Sequence, residues 1–178
     1  GFIIDELEKM NLSNESFKGK LDLNSIGVIG YSKGGAAAGQ LCLTDARCRA
    51  GINLSGFMFG DIGEKELVVP FMVIENVEGW CKDALPINDL LFHTSKSSIY
   101  MVQLDDSTHA NFSDVSAWGR YLFNRDDLLG PIDGRRFLKI QNDYVLQFYN
   151  KHLKGLPAPL LDGPTGEYPE VRFKSRHY

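Results

Sequence analysis

The chain has 178 residues, 43% hydrophobic and 24% charged, with a net charge of −4; this suits one globular domain with a real core and excludes a disordered chain. Apart from a short cluster at Arg135, Arg136 and Lys139 the basic residues are scattered, so no nucleic-acid partner is expected. No apolar run approaches the roughly 18–20 residues that cross a bilayer, and the acidic amphipathic start has no signal-peptide pattern, so a soluble chain without a transmembrane segment is expected.

In chain order, Phe2, Ile3, Ile4, Leu7 and Met10 recur at helical spacing and predict a helix over 2–10, followed by a polar, turn-rich loop. Residues 26–31 form a short apolar run bounded by turn signals, as in a strand buried on both faces. The small residues that follow, "GGAAAGQLCLTD", predict a helix able to pack closely against that strand. Further strands are expected over 50–56, 68–77 and 97–104, with a mostly helical crossover over 83–95. Residues 110–135 mix aromatics with turn-formers and read as a lid or pocket wall, or as a loop with a short helix. The last regular element expected is a helix over 136–155, with Ile140, Tyr144, Val145, Phe148 and Leu153 along one side and Gly155 as its C-cap. The Pro/Gly-rich tail over 155–171 is expected to wrap the surface without regular structure. Strands alternating with helices mean an α/β fold, a mainly parallel sheet flanked by helices.

Cys42, Cys48 and Cys81 are odd in number and show neither CxxC nor Cys/His spacing. They read as buried free thiols, with no disulfide framework or zinc site. No dinucleotide fingerprint and no ligand cluster appears, so no metal and no cofactor is expected.

The stretch "SIGVIGYSKGGAAAGQ", 25–40, places Ser32 in a G-x-S-x-G pattern between an apolar strand and a small-residue helix. On so sharp a turn the hydroxyl projects from the sheet. Side chains at Gly30 and Gly34 are expected to collide across the turn, and Gly35 with the following alanines lets the helix lie close behind. The helix N-terminus then favours developing negative charge beside Ser32, with the amide of Lys33 as one oxyanion donor. A nucleophilic serine needs a base, and His109 in "LDDSTHANF" follows the last parallel strand, where this chemistry places one. His93, His152 and His177 read as solvated or core histidines.

These segments resemble the α/β-hydrolases of the platelet-activating-factor acetylhydrolase type and their bacterial relatives, neighbours of the dienelactone-hydrolase and polyester-hydrolase families. The resemblance rests on "GYSKGGAAAGQ", "CRAGINLSGFMFG", "VPFMVIENVE" and above all "THANFSD", similar to the family's histidine loop, and extends through the C-terminal helix to "YPEV". It implies the C-terminal half of an α/β-hydrolase fold. It also implies a serine hydrolase of carboxylic esters, acting on a small-molecule or lipid-like ester.

Two departures stand out. The family's third triad member is an aspartate in a segment like "INLDGFMFG", and Ser55 occupies that position here. A serine orients the histidine but carries no charge to stabilise an imidazolium. In most other α/β-hydrolases the acid follows the next strand, which here offers Glu78 and Glu75; Glu78 lies at the right distance to be the acid and reads equally as a solvated loop carboxylate. Asp105 and Asp106 read as loop-capping residues, Asp106 being a further candidate. The second departure is size: the family's early strands are absent, so the whole chain reads as a partial domain with "SIGVIGY" at an unprotected edge. Association through that edge, with an N-terminal half or with a second copy, follows as an expectation. Phe57, Phe59, Trp80, Phe112 and Trp118 are the aromatics expected near an acyl pocket. The rival expectation is a catalytically impaired hydrolase-fold binding module, motivated by Ser55 and the short N-terminus.

Overall fold

The computed structural model describes residues 1–62, 64–76, 85–123 and 128–178. Five strands form one sheet in the order β1 (Ile26–Tyr31), β2 (Cys48–Leu54), β3 (Phe71–Asn76), β4 (Ile99–Leu104) and β5 (Val171–Arg176). The first four pair in parallel and β5 adds antiparallel to β4. Parallel neighbours need crossovers. These are α2 (Lys33–Thr44) between β1 and β2 and α3 (Leu85–Thr94) between β3 and β4, with α1 (Phe2–Ser13) ahead of β1. Between β4 and β5 lie a 3-10 turn at His109–Phe112, α4 (Val115–Phe123), α5 (Gly134–Lys154) and a second 3-10 turn at Pro159–Leu161.

Strand alternation divides the core between the two faces of the sheet. Ile52, Ile74, Tyr100 and Val102 pack against Phe137, Ile140, Tyr144 and Phe148 of α5. On the other face Val73, Ile99 and Met101 meet Cys42 of α2, Met58, and Leu91 and Phe92 of α3. Every residue of β3 is buried, as expected of a strand covered on both sides. Helix α5 ends at Gly155 as its sequence indicates, with φ 66° there, and starts two residues before the expected position 136, where the Asp133 side chain accepts from Arg136 N–H at 2.9 Å. Lys151 and Lys154 in its last turn complement the helix dipole.

The expected edge is present: β1 ends the sheet and Ile29 on it is 47% exposed. The expectation that β1 is buried on both faces fails, since Gly27 and Ile29 are exposed and its other residues only half-buried, and two further expectations fail. The tail contains the Pro159–Leu161 turn and leads into β5, so α5 is not the last regular element; Arg172, Lys174 and Arg176 give this strand one polar face, while Val171 and Phe173 on its other face pack on the core. Cys42 and Cys48 are joined in a disulfide rather than free. The last turn of α2 and the first residue of β2 are linked by a tight turn in which Cys48 N–H donates to Asp45 O, and this brings their Cα atoms to 5.2 Å. Cys81 lies outside the described residues. None of the described helices is long and apolar enough to cross a membrane.

Candidate active site

At the carboxyl ends of β1 and β2 the chain turns twice through a sterically costly conformation. Tyr31 and Leu54 are register partners, and the residues after them, Ser32 and Ser55, have φ 57° and 49°. Left-handed backbone at a non-glycine residue costs free energy and persists only where the surroundings enforce it. Ser32 N–H donates to Leu54 O at 2.9 Å, and Ser55 N–H to Ile74 O at 2.7 Å, so each turn is tied to the neighbouring strand. Asn53 closes the second turn, its Oδ1 accepting from Gly56 N–H at 2.8 Å and its Nδ2 donating to Gly56 O at 2.9 Å.

The glycines around Ser32 behave as expected in part. A Cβ on Gly30 would stand 2.0 Å from Gly34 O, and one on Gly35 would stand 1.9 Å from Asn53 Oδ1, so both positions need a hydrogen there. Gly34 faces open space instead. The crowding arises from its backbone, which meets Gly30, and not from its own missing side chain. Helix α2 starts at Lys33, whose amide is among the first four helix N–H groups without an intrahelical acceptor.

His109 arrives from the loop after β4. Asp106 turns that loop at φ 55°, and Asn111, fully buried, fixes it. Asn111 Oδ1 accepts from Thr108 N–H at 2.8 Å and Gly130 N–H at 3.0 Å, while its Nδ2 donates to Ser116 Oγ at 3.1 Å. Tyr31 holds the imidazole from below, its hydroxyl donating to His109 O at 2.9 Å and its ring stacked at 4.6 Å between centroids. The result is a continuous polar chain. Ser32 Oγ lies 3.1 Å from His109 Nε2, His109 Nδ1 lies 2.8 Å from Ser55 Oγ, and Ser55 donates to Asn76 Oδ1 at 3.0 Å. Partial burial lowers the His109 pKa below its ordinary 6.5, with a hydrogen bond to the Ser55 backbone opposing the shift.

Of the carboxylates raised by the sequence, Glu75 is directed away from the histidine. Adjacent strand residues point to opposite faces, so with Asn76 turned to Ser55, Glu75 lies under α3, bonded by Asn88 and by Gln103 Nε2 at 2.9 Å. Asp105 pairs with Arg172 at 2.9 Å, in keeping with a loop role. Glu78 and Trp80 lie outside the described residues. His93 sits on the exposed side of α3 near Asp89, and His152 is half-buried on α5 against the Tyr100 hydroxyl at 3.0 Å. Of the expected pocket aromatics, Phe112 is core instead, packed edge-on to Phe137, whereas Phe57, Phe59 and Trp118 are exposed. Sequence reading missed Tyr31 and Asn76. Adjacency to Ser32 was the available signal for Tyr31; nothing local marks Asn76.

A parallel sheet whose edge strand turns through a strained serine into a helix, with a histidine supplied from a loop after β4, is an α/β-hydrolase fold. In line with this, the solved structure of a ferulic acid esterase from Streptomyces cinnamoneus superposes with a TM-score of 0.79 at 25% identity, over 97% of this chain and 55% of that one. The family model of platelet-activating factor acetylhydrolase, isoform II, matches residues 4–157, and the chain belongs to this serine esterase family. Among curated relatives, a probable 1-alkyl-2-acetylglycerophosphocholine esterase of Arthroderma benhamiae is 30% identical over 168 residues, 83% of this chain and 43% of that protein. The platelet-activating factor acetylhydrolase of Cavia porcellus is 30% identical over 149 residues, 81% of this chain and 34% of that protein. The chain thus spans less than half the length of these relatives.

Proposed function

We propose that the chain carries the catalytic centre of a serine-dependent carboxylic-ester hydrolase. The observation that carries this reading is the 3.1 Å approach of Ser32 Oγ to His109 Nε2 at the strained head of α2. Ser32 Oγ bonds to the ester carbonyl carbon while its proton passes to Nε2. The carbonyl oxygen takes the negative charge beside the Lys33 amide, and the alcohol leaves with the proton from Nε2. Water, deprotonated by His109, then releases the acid and restores Ser32.

Ser55 has one hydroxyl hydrogen, and with Asn76 Oδ1 as its acceptor a lone pair faces His109 Nδ1. Nδ1 therefore carries the ring proton and Nε2 is the free base, the tautomer the mechanism needs. What Ser55 lacks is charge, which favours the second reading, an impaired hydrolase-fold module that binds more than it turns over. Glu78 stays the sequence-based choice for a carboxylate. The names of the relatives point to an ester of a small acyl group, in a small-molecule or lipid-like substrate. The exposed edge β1 supports association with a further strand-bearing segment or a second copy.

Hydrolysis of p-nitrophenyl acetate, with a fluorophosphonate adduct located by mass spectrometry, tests the proposal. Turnover and an adduct on Ser32, both lost in Ser32→Ala, are expected. A parent rate equal to that of Ser32→Ala supports the binding module instead.

A further inference from the structure

A second concave site lies on the α3 face of the sheet. Glu75, Gln103 and Arg172 stand in register across β3, β4 and β5 and floor a cleft of about 440 Å³ walled by α3. Glu75 is 3% exposed. Its two oxygens accept from Asn88 Nδ2 and Gln103 Nε2, both neutral donors, which leaves about half of a carboxylate's lone-pair sites unused.

The charges around the cleft are matched everywhere except at Glu75. Arg172 is paired with Asp105 at 2.9 Å and Lys174 with Asp89 at 3.1 Å, while among the described residues no cation lies within ion-pair distance of Glu75. Asn88, 1% exposed, leaves its Oδ1 buried with no hydrogen-bond partner. An unused carboxylate face and an orphaned amide oxygen call for the same thing, a donor-rich cation. An apolar wall is available in Phe92, whose ring already accepts Lys174 Nζ at 4.0 Å from its centroid.

We propose that this cleft binds a small organic cation, a primary ammonium on an apolar body, with the ammonium between Glu75 and Asn88 and the body along Phe92. Three N–H donors on one centre supply both groups at once. Burial without a countercharge pushes the Glu75 carboxyl above its ordinary range, and a bound ammonium opposes that shift. Asp89, Arg172 and Lys174 are the other charged groups lining the cleft.

The test uses the whole chain and benzylammonium, followed by amide chemical shifts, with benzyl alcohol as the neutral isostere. Saturable shifts centred on Asn88 and Gln103 are expected, with affinity weaker by about tenfold or more for benzyl alcohol and for Glu75→Gln. The unmutated protein supplies an arm that no folding defect affects: the ¹³C titration of the Glu75 carboxyl moves to lower pH with benzylammonium and stays in place with benzyl alcohol. Equal binding of the two probes, undiminished binding by folded Glu75→Gln, an unmoved carboxyl titration, or no saturable shift overturns the proposal.

Discussion

Ser55→Asp puts a carboxylate where a hydroxyl now stands 2.8 Å from His109 Nδ1. The backbone at φ 49° accepts it, since aspartate is among the few side chains that tolerate the left-handed region. Rotating the Asn76 amide presents Nδ2 as a second donor. At ~5 Å between charge centres and an effective dielectric of ~20, the carboxylate stabilises an imidazolium by about 3 kcal/mol. Burying that carboxylate at a position only 4% exposed offsets part of the gain. A net of about 2 kcal/mol corresponds to roughly 30-fold in rate. The same interaction raises the His109 pKa, reversing the present depression. The base then protonates at higher pH, and the acid limb of kcat/KM moves up by about 1 to 1.5 pH units. The assay is kcat/KM for p-nitrophenyl acetate from pH 4.5 to 9, with Glu78→Gln in parallel. A folded Ser55→Asp variant with unchanged kcat/KM and an unmoved acid limb refutes the role given to Ser55. If Glu78→Gln alone also abolishes turnover, the acid lies after β3.

Three other expectations follow from particular contacts. Tyr31→Phe keeps the stack on His109 but removes the 2.9 Å hydrogen bond to its carbonyl, and lowers kcat by about fivefold with KM unchanged; equal kcat in the variant shows that the loop is held without it. Reducing the Cys42–Cys48 disulfide, which spans a sequence separation of only 6, removes about 2 kcal/mol of loop-closure stabilisation. Thermal unfolding with and without reductant then differs by about 5 °C, and coincident curves contradict this. Burial pushes His152 down to about 4, so the native state holds it neutral while the unfolded chain protonates near 6.5. Stability is accordingly lost as pH falls from about 6.5 toward 4. Denaturant midpoints for His152→Phe across that window show a shallower decline than the parent, and parallel declines exclude the assignment.

The sequence by itself determined what is carried by neighbours along the chain. The apolar run of β1, the glycine-flanked Ser32, the small residues of α2 and the Gly155 cap of α5 are each written in a stretch of a few residues, so local pattern sufficed. His109 was legible because its loop, tied by Thr108 and Asn111, is a local device. Only the tertiary structure decided the partners of these groups. Ser55 reaches His109 across 54 residues and Asn76 across 21, and Tyr31 reaches the histidine carbonyl across 78. The direction of Glu75 depended on strand register, which a one-residue shift would invert. The disulfide depended on how tightly α2 turns into β2, and β5 on an edge offered by β4. Such contacts join segments whose separate sequences carry no trace of each other, because their free energy exists only once packing has brought the surfaces together.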